Sequence, residues 1–440
     1  MLLQTEKLFS YLFLLIPLFL ITGPAIPDIV ITTGVIFGIF YLIFLKKYEN
    51  LLKINFFRIS ILFWISLIFI SFFAYNKANS FQDSIIFIRF LLIPIFIYFI
   101  FFKDNKYLNL TLTLILVLVI FVCIDTLYQF FNYNSKDGFG EDLLGFKSNW
   151  YGRLTGPFGK ELIPGSYISK FGFLGYVILI TNKNFKTKII FQYTYLSLIL
   201  LVTYVSGERM SFATYALGLS FLLLFLNGYR KSILISIILG VTMIFAVVSF
   251  HPFYNDFEVV QSTQYHQGLK IEKVFECEKG SVELCTKIID VQPNFFEIIK
   301  NFSSSAYGEI YLLSFKMFID NPITGIGINN YKYLCNSNKI YKALLTNYNC
   351  ASHPHNIYIQ WITEGGVLIF ILFILYLYYL VLFIINNKSE SKYKIISLIT
   401  ILIMFWPIMS TGSLIKNWYG VSTFFIIGIC MKLSNIKKND

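Results

Sequence analysis

Charge is what this sequence has least of. Only 14% of its 440 residues are Asp, Glu, Lys or Arg, against roughly 25% in soluble globular domains. That scarcity excludes a water-soluble globule and a disordered chain alike, because both need polar surface. Arginine is scarcer still, five residues among 36 basic ones. No basic arm or aromatic-basic stripe gathers them, so nucleic acid is not the reason for a net charge of +12. Histidine is confined to four positions and cysteine to six. There is no CxxC pair, and the first apolar run lacks the basic start and small-residue cleavage site of a secretory signal. The short alternating segments of an outer-membrane barrel are missing too.

What fills the chain is apolar: 56% hydrophobic residues, with 48 Phe and 30 Tyr, and a mean hydropathy of +0.67. Since a membrane span needs about 20 mostly apolar residues, long runs of this kind predict an all-α polytopic membrane protein. Twelve runs qualify as transmembrane helices: 8–23, 29–45, 59–74, 84–102, 108–131, 164–181, 189–205, 210–227, 232–250, 357–385, 395–411 and 417–431. Eighteen basic residues collect on one side of this layout, from Lys7 and Lys46 through Arg230 and Lys231 to Lys432 and Lys438. The short loops opposite hold only Lys77, Arg209 and Lys416. The positive-inside rule then places both termini in the cytoplasm. The chain divides into residues 1–250 with spans one to nine and an outside loop at about 132–163, a large outside loop at 251–356, and residues 357–440 with the last three spans and a cytoplasmic tail.

Cysteine placement agrees with that orientation. Cys277, Cys285, Cys335 and Cys350 all fall in the large loop, while Cys123 and Cys430 lie in apolar runs. Four cysteines in one extracytoplasmic loop read as two disulfides. Three connectivities are open, and Cys277–Cys285 with Cys335–Cys350 is favoured because each closes a short local loop. The same loop offers a helix-like stretch, Glu309 to Asp320, which Asn321-Pro322 stops and Gly325-Ile-Gly327 follows as a turn.

Two groups of residues have chemistry to offer. The first is His353-Pro-His355-Asn356, directly before the tenth span. Histidine exchanges protons near neutral pH, and Pro354 restricts the chain ahead of the helix. The plain alternative is an interfacial role beside Tyr358 and Trp361; a zinc site is disfavoured, as no third ligand is near. Glu364, nine residues after His355, reads as a helix-stabilising or interfacial carboxylate rather than a catalytic one. The second group is cationic and lies near the outer face: Arg89 in span four, Lys170 in span six, Arg153 and Lys160 in the loop from Trp150 to Lys160, and Arg209 in the turn Ser206-Gly-Glu-Arg209. An intramembrane cation costs at least ~2.5–3.5 kcal/mol on insertion scales and so normally faces a partner. No acidic residue stands within these spans at matching depth, which leaves the cations looking for an anion from elsewhere. Snorkelling of Arg89 and Lys170, and a pair between Arg209 and Glu208, are the competing accounts. Arg suits phosphate because its planar fork makes bidentate bonds, so the group reads as a site for a lipid-linked phosphate.

The region from Gly308 to Gly366 resembles the O-antigen ligase family, which also contains O-antigen polymerases. The pieces that carry the resemblance are Phe318-Ile-Asp-Asn-Pro322-Ile-Thr-Gly325-Ile-Gly327-Ile-Asn-Asn-Tyr331 and His353-Pro-His-Asn-Ile-Tyr-Ile-Gln-Trp-Ile-Thr-Glu364-Gly-Gly, supported upstream by Ser206-Gly-Glu-Arg209 and Arg153-Leu-Thr-Gly-Pro-Phe-Gly. The resemblance implies a GT-C-like, metal-independent membrane glycosyltransferase of the bacterial inner membrane that needs no cofactor. Its donor would be a glycan on undecaprenyl pyrophosphate, transferred at the periplasmic face to an acceptor hydroxyl. In a ligase the acceptor is a sugar of the lipid A core, in a polymerase another lipid-linked repeat, and in a protein O-oligosaccharyltransferase a protein. The family's key His falls on His355 and its turn Arg on Arg209; Arg153, Arg89, Lys170, Lys160, His353 and Asn356 complete the expected substrate-binding set. Two departures stand out: Ile369 occupies the family's second Gly position, and Tyr307-Gly308-Glu309 stands where many members open the outside helix with Arg. From another class, a flippase or other transporter of lipid-linked oligosaccharide would use the same cations, but it would have little need for a disulfide-bonded loop ending in HPHN.

Overall fold

The structure, a computed structural model, describes residues 2–45, 48–134, 138–148, 150, 152–182, 189–255, 257–261, 271–275, 288–291, 299–300, 302–345 and 349–436. His266, Cys277 and Cys285, and with them the expected Cys277–Cys285 pairing, lie outside the described residues. The chain is mostly helical. Its principal helices are α1 Leu2–Leu14, α2 Ile16–Thr22, α3 Ala25–Phe44, α4 Asn55–Ser71, α5 Lys77–Phe101, α6 Asn105–Phe131, α7 Pro164–Thr181, α8 Ile189–Val205, α9 Arg209–Phe225, α10 Arg230–Phe250, α11 Ala306–Asp320, α12 Tyr331–Ser337, α13 Ile357–Asn386, α14 Ser391–Met404 and α15 Asn417–Leu433.

Every apolar run named above contains a helix. Among the described residues five helices are long and apolar enough to cross a membrane: α3, α5, α6, α10 with its preceding turn, and α13. The pair α1 and α2, bent by 52° at a break beside Pro17, brings the number to six if counted as one span. Asn55–Ser71, Ile189–Val205 and Arg209–Phe225 are shorter apolar helices. The run 395–411 gives a shorter helix than expected, because α14 ends at Met404 before Pro407. The all-α expectation is corrected in the large loop. There β3 Phe257–Gln261, β4 Ile271–Phe275 and β5 Ile288–Val291 form an antiparallel sheet in the order β3-β4-β5, with Phe257 opposite Phe275 and Ile271 opposite Val291. A two-residue hairpin, β1 Tyr133–Asn134 with β2 Gly138–Phe139, follows α6. Its strands are too short to leave a readable alternation in the sequence.

The chain forms two units, residues 1–111 with 306–440, and residues 112–305. The first is built on an aromatic centre in which Trp361 of α13 lies edge-on to Phe63 of α4 at 5.3 Å and to Phe87 of α5 at 5.7 Å. Its defining local feature is a break in α13. Gly366 adopts φ 65°, ψ −171°, outside helical space, and a Cβ there would stand 2.2 Å from the Ile323 carbonyl oxygen. The loop after α11 docks into this break. Ile326 N–H donates to the Thr363 carbonyl at 3.1 Å, Gly327 N–H to that of Glu364 at 2.9 Å, and Val367 N–H to that of Pro322 at 2.9 Å. The Asn-Pro…Gly-Ile-Gly and Glu-Gly-Gly pieces are thus two sides of one joint, in which the backbone groups freed by the helix break find partners.

In the second unit α7 is buried along nearly its whole length, packed by α8 and α9, with α10 against α8. An apolar cluster of Phe130, Phe139, Leu154, Leu201, Val205 and Phe253 closes the end that carries the loops.

Candidate functional site

The sequence-derived residues separate by unit: His353, His355, Asn356 and Arg89 in the first, Arg153, Lys160, Lys170 and Arg209 in the second.

In the first unit the segment before α13 is fixed at three points. The Cys335–Cys350 disulfide, with a Cα separation of 5.9 Å, ties it to α12 three residues ahead of His353. This is the pairing expected from the sequence. At the other end Asn356 is the N-cap of α13. Its side-chain oxygen accepts the N–H groups of Tyr358 at 2.9 Å and Ile359 at 3.1 Å, and its Nδ2 donates to the carbonyls of Pro407 and Met409. Both ends of that amide are therefore engaged in holding the helix start. Between these points the backbone of Thr411 clamps both histidines: its N–H donates to the His355 carbonyl at 2.7 Å, and its carbonyl lies 3.1 Å from His353 Nε2.

Because a carbonyl only accepts, His353 carries its proton on Nε2, and its Nδ1 accepts from the Ser352 hydroxyl at 2.8 Å. Both ring nitrogens are engaged. His355 differs: its ring makes no hydrogen bond among the described residues and touches the edge of Tyr307, with centroids 6.1 Å apart, and the His353 ring at 4.2 Å. Its backbone is left-handed, φ 56°, a conformation that costs a non-glycine residue about 1–2 kcal/mol. Burial pushes the His355 imidazole below the ordinary histidine range. Burial, then the His355 ring and the Lys416 charge, outweigh the Thr411 hydrogen bond and push His353 down to about 4. Both rings are thus neutral near pH 7. Lys416 is an exposed cation whose charge acts on His353, on the same 405–416 loop as Thr411. In the sequence Lys416 stands out only as one of the few basic residues of the outside loops, since no local pattern joins it to HPHN.

Arg89 has a partner that the sequence reading missed. Asp28 of α3 pairs with it at 3.0 Å, and it donates to Thr32 at 3.1 Å and Asn417 at 2.9 Å. Arg89 thereby braces α3, α5 and α15. The expectation of an unpartnered cation at this position is corrected, because Asp28 sits one residue outside the apolar run counted as span two.

In the second unit the turn 206–209 lies on the loop that carries Arg153. Leu154 N–H donates to the Ser206 carbonyl at 3.1 Å. Gly207, at φ 76°, comes so close that a Cβ would stand 2.1 Å from the Gly152 carbonyl oxygen, which makes glycine obligatory there. Arg153 donates one terminal N–H to the Leu162 carbonyl at 3.1 Å, while its Nε is buried without a hydrogen-bond partner. Arg209 is the first residue of α9, and Lys160 is exposed in the loop. Lys170 is buried in α7 and feels the charge of Glu208.

Glu208 is the residue at the centre of this arrangement. Its carboxylate accepts the N–H groups of Gly165 at 2.6 Å and Ser166 at 3.0 Å and the Ser211 hydroxyl at 3.0 Å. It caps α7 from the start of α9, supplying what Ile163 at the helix's own N-cap position cannot. Burial pushes this carboxyl up to about 7 despite the opposing pull of Arg153 and of the capping hydrogen bonds. The absence of a capping side chain before Pro164 was the available sequence signal. The view that no acid answers Lys170 is corrected here, since Glu208 lies in the turn and not in a span.

Residues 194–374 match the sequence model of a family described as O-Antigen ligase. This chain carries an O-antigen ligase family domain. The matched segment runs from α8 into α13 and takes in Arg209, the docking joint at Gly366 and the whole HPHN segment; Arg89, Arg153, Lys160 and Lys170 precede it. A comparison with curated proteins yields no match. The O-antigen ligase match and the apolar helices support a bacterial membrane protein of the ligase- or polymerase-like kind.

Proposed function

We propose that the protein is an O-antigen ligase-like glycosyltransferase that moves a glycan from undecaprenyl pyrophosphate to a sugar hydroxyl of the lipid A core. In this reading the shorter apolar helices also cross the inner membrane, giving about twelve spans. Both termini are then cytoplasmic, and the large loop and HPHN segment face the periplasm. The observation that carries the proposal is the His355 imidazole, neutral and free of hydrogen bonds at both nitrogens among the described residues, beside a His353 whose two ring nitrogens are both engaged. Such a group can accept a proton.

His355 takes the proton from the acceptor hydroxyl as its oxygen attacks the anomeric carbon. The bond from that carbon to the pyrophosphate oxygen breaks, and the electron pair leaves with the lipid pyrophosphate. Arg209 and Arg153 answer the charge that develops on the leaving group, a contribution worth ~2.7–4 kcal/mol per donor in well-studied sites. Lys170 and Glu208 set the charge around Arg153, and Lys160 and Lys416 are exposed cations available to the donor's phosphates. Arg89 and Asn356 act by holding helices. The side chains supply this chemistry without a metal or a cofactor.

The test is transfer of labelled glycan from purified lipid-linked donor to core lipid in proteoliposomes. His355→Ala is expected to lose about 10²–10⁴ in rate, with Arg209→Lys also impaired because a point charge cannot replace a bidentate fork. Full activity of His355→Ala refutes the base assignment, and translocation of donor without release of undecaprenyl pyrophosphate would mark a transporter. A polymerase shares the donor and differs in acceptor. Deletion of the gene then leaves a single-repeat lipopolysaccharide band, whereas loss of a ligase removes all long chains.

A further inference from the structure

A second polar cluster lies where α6 meets the turn that follows the β1–β2 hairpin. Asp125 and Thr126 of α6 are fully buried, and Asp142 in the turn is 4% exposed. One oxygen of each carboxylate is satisfied: Asp125 Oδ1 accepts the Leu143 N–H at 3.1 Å, and Asp142 Oδ1 accepts those of Leu144 at 2.9 Å and Phe146 at 2.7 Å. The remaining atoms, Asp125 Oδ2, Asp142 Oδ2 and Thr126 Oγ1, are buried without a hydrogen-bond partner. Thr126 shares an unpartnered buried hydroxyl with Thr423 of α15. Thr111, Thr194, Thr214, Thr242 and Thr400 all return their hydroxyls to the carbonyl four residues back, and Thr126 does not. Gly156, at φ 48°, covers the same spot; a Cβ there would stand 2.6 Å from Thr126 Oγ1 and 3.6 Å from Asp125 Oδ2. Both oxygens are therefore aimed at one place, kept open by a glycine. The charges acting on the pair are acidic, Asp142 on Asp125 and Glu141 on Asp142.

We infer that Asp125, Asp142 and Thr126 bind a hard divalent cation, calcium or magnesium. Burying two carboxylates without a counter-charge costs several kcal/mol per ion. A single shared proton would serve two of the three vacant oxygens and leave the third; a divalent ion serves all three and cancels the charge. An all-oxygen set of carboxylates and hydroxyl is the donor chemistry these ions take, with water and backbone carbonyls completing the shell. Among the described residues no three of His, Cys, Asp and Glu gather as a metal site; here the third ligand is a hydroxyl. The ion would lock the turn 141–146 onto α6. The amide of Gln129, one helical turn on, already holds the Phe146 carbonyl, the Thr155 N–H and hydroxyl, and the Gly156 N–H. Together they fasten both ends of the segment that bears Arg153.

The test uses the full-length protein in detergent, stripped with chelator and dialysed against radioactive calcium, with magnesium as competitor. Wild type is expected to take up one saturable ion per chain. Asp142→Asn, which keeps the Oδ1 acceptor, should abolish the binding. Thr126→Ala should weaken it about tenfold, the scale on which a supporting polar group matters to a metal site. Size exclusion confirms that each variant is folded, and Thr126→Ala, which removes no charge, keeps the test open if Asp142→Asn does not fold. The inference is overturned if wild type shows no saturable uptake of either ion, or if folded Thr126→Ala and Asp142→Asn bind as wild type does.

Discussion

Acid should destabilise the first unit through His353. In the unfolded chain this imidazole has the ordinary histidine value of 6.5, and in the folded protein it lies at about 4. A base with a depressed folded value binds fewer protons in the native state than in the unfolded one, so stability rises with pH across the interval. The contribution is whole above about pH 6.5 and is lost as the pH falls toward 4. Near pH 5 the gap of about 1.5 units from the unfolded value amounts to about 2 kcal/mol, with a ceiling of about 3 kcal/mol once both forms are protonated. The structure explains the cost. A second proton must enter at Nδ1, where Ser352 now donates, while Nε2–H stays on Thr411 and the His355 ring stands 4.2 Å away. The assay is equilibrium unfolding of the purified protein in detergent from about pH 7.5 to 5, comparing wild type with His353→Gln, whose amide can still donate to Thr411. Taking the difference removes the other groups, including Glu208, whose raised carboxyl drives stability the opposite way as pH falls. Wild type is expected to lose about 2 kcal/mol more than the variant over this range. Parallel curves, or a wild type that gains on the variant in acid, would refute the reasoning.

Two further outcomes test the scaffold. Gly366→Ala places a Cβ 2.2 Å from the Ile323 carbonyl in a conformation reserved for glycine. It should cost at least about 1–3 kcal/mol from the backbone alone, read as a lower unfolding midpoint, and an unchanged midpoint would mean the α13 break is not a docked joint. Cys350→Ser opens a disulfide of sequence separation 15, worth about 3 kcal/mol by loop entropy. The variant should match wild type measured in reductant, and a variant indistinguishable from oxidised wild type would deny the bridge.

The helices were legible because apolar runs as long as Asn105–Phe131 or Ile357–Asn386 have few other ways to satisfy their backbone in lipid. The Cys335–Cys350 bridge was legible because it closes a short local loop. What could not be read were partners supplied from far along the chain. Asp28 answers Arg89 across 61 residues and Glu208 caps a helix that starts 44 residues before it; no periodicity or spacing encodes either, and both were missed for that reason. Nor did the strands of the large loop announce themselves, since segments of four or five residues are too short to establish a period against the polar stretches around them.

The two histidines of HPHN show where sequence pattern stops and geometry begins. They are neighbours on either side of Pro354; spacing gives no ground for choosing between them, and only the resemblance, through the pair His355-Asn356, points to the second. In the fold they are opposites. His353 spends both nitrogens on Thr411 and Ser352, so replacing it removes structure. His355 spends none, and its backbone bears a left-handed strain that nothing in its own ring repays. Strain of this kind persists only where surrounding contacts over-determine it, and here the Thr411 N–H on the His355 carbonyl is that contact. A residue held at a cost to stability, with its reactive atoms left open, is placed for something other than stability. It follows that His353→Gln should lose stability in larger proportion than rate, and His355→Gln rate in larger proportion than stability. Equal losses in both measures for the two variants would show that the clamp and the imidazole it presents are not separate devices.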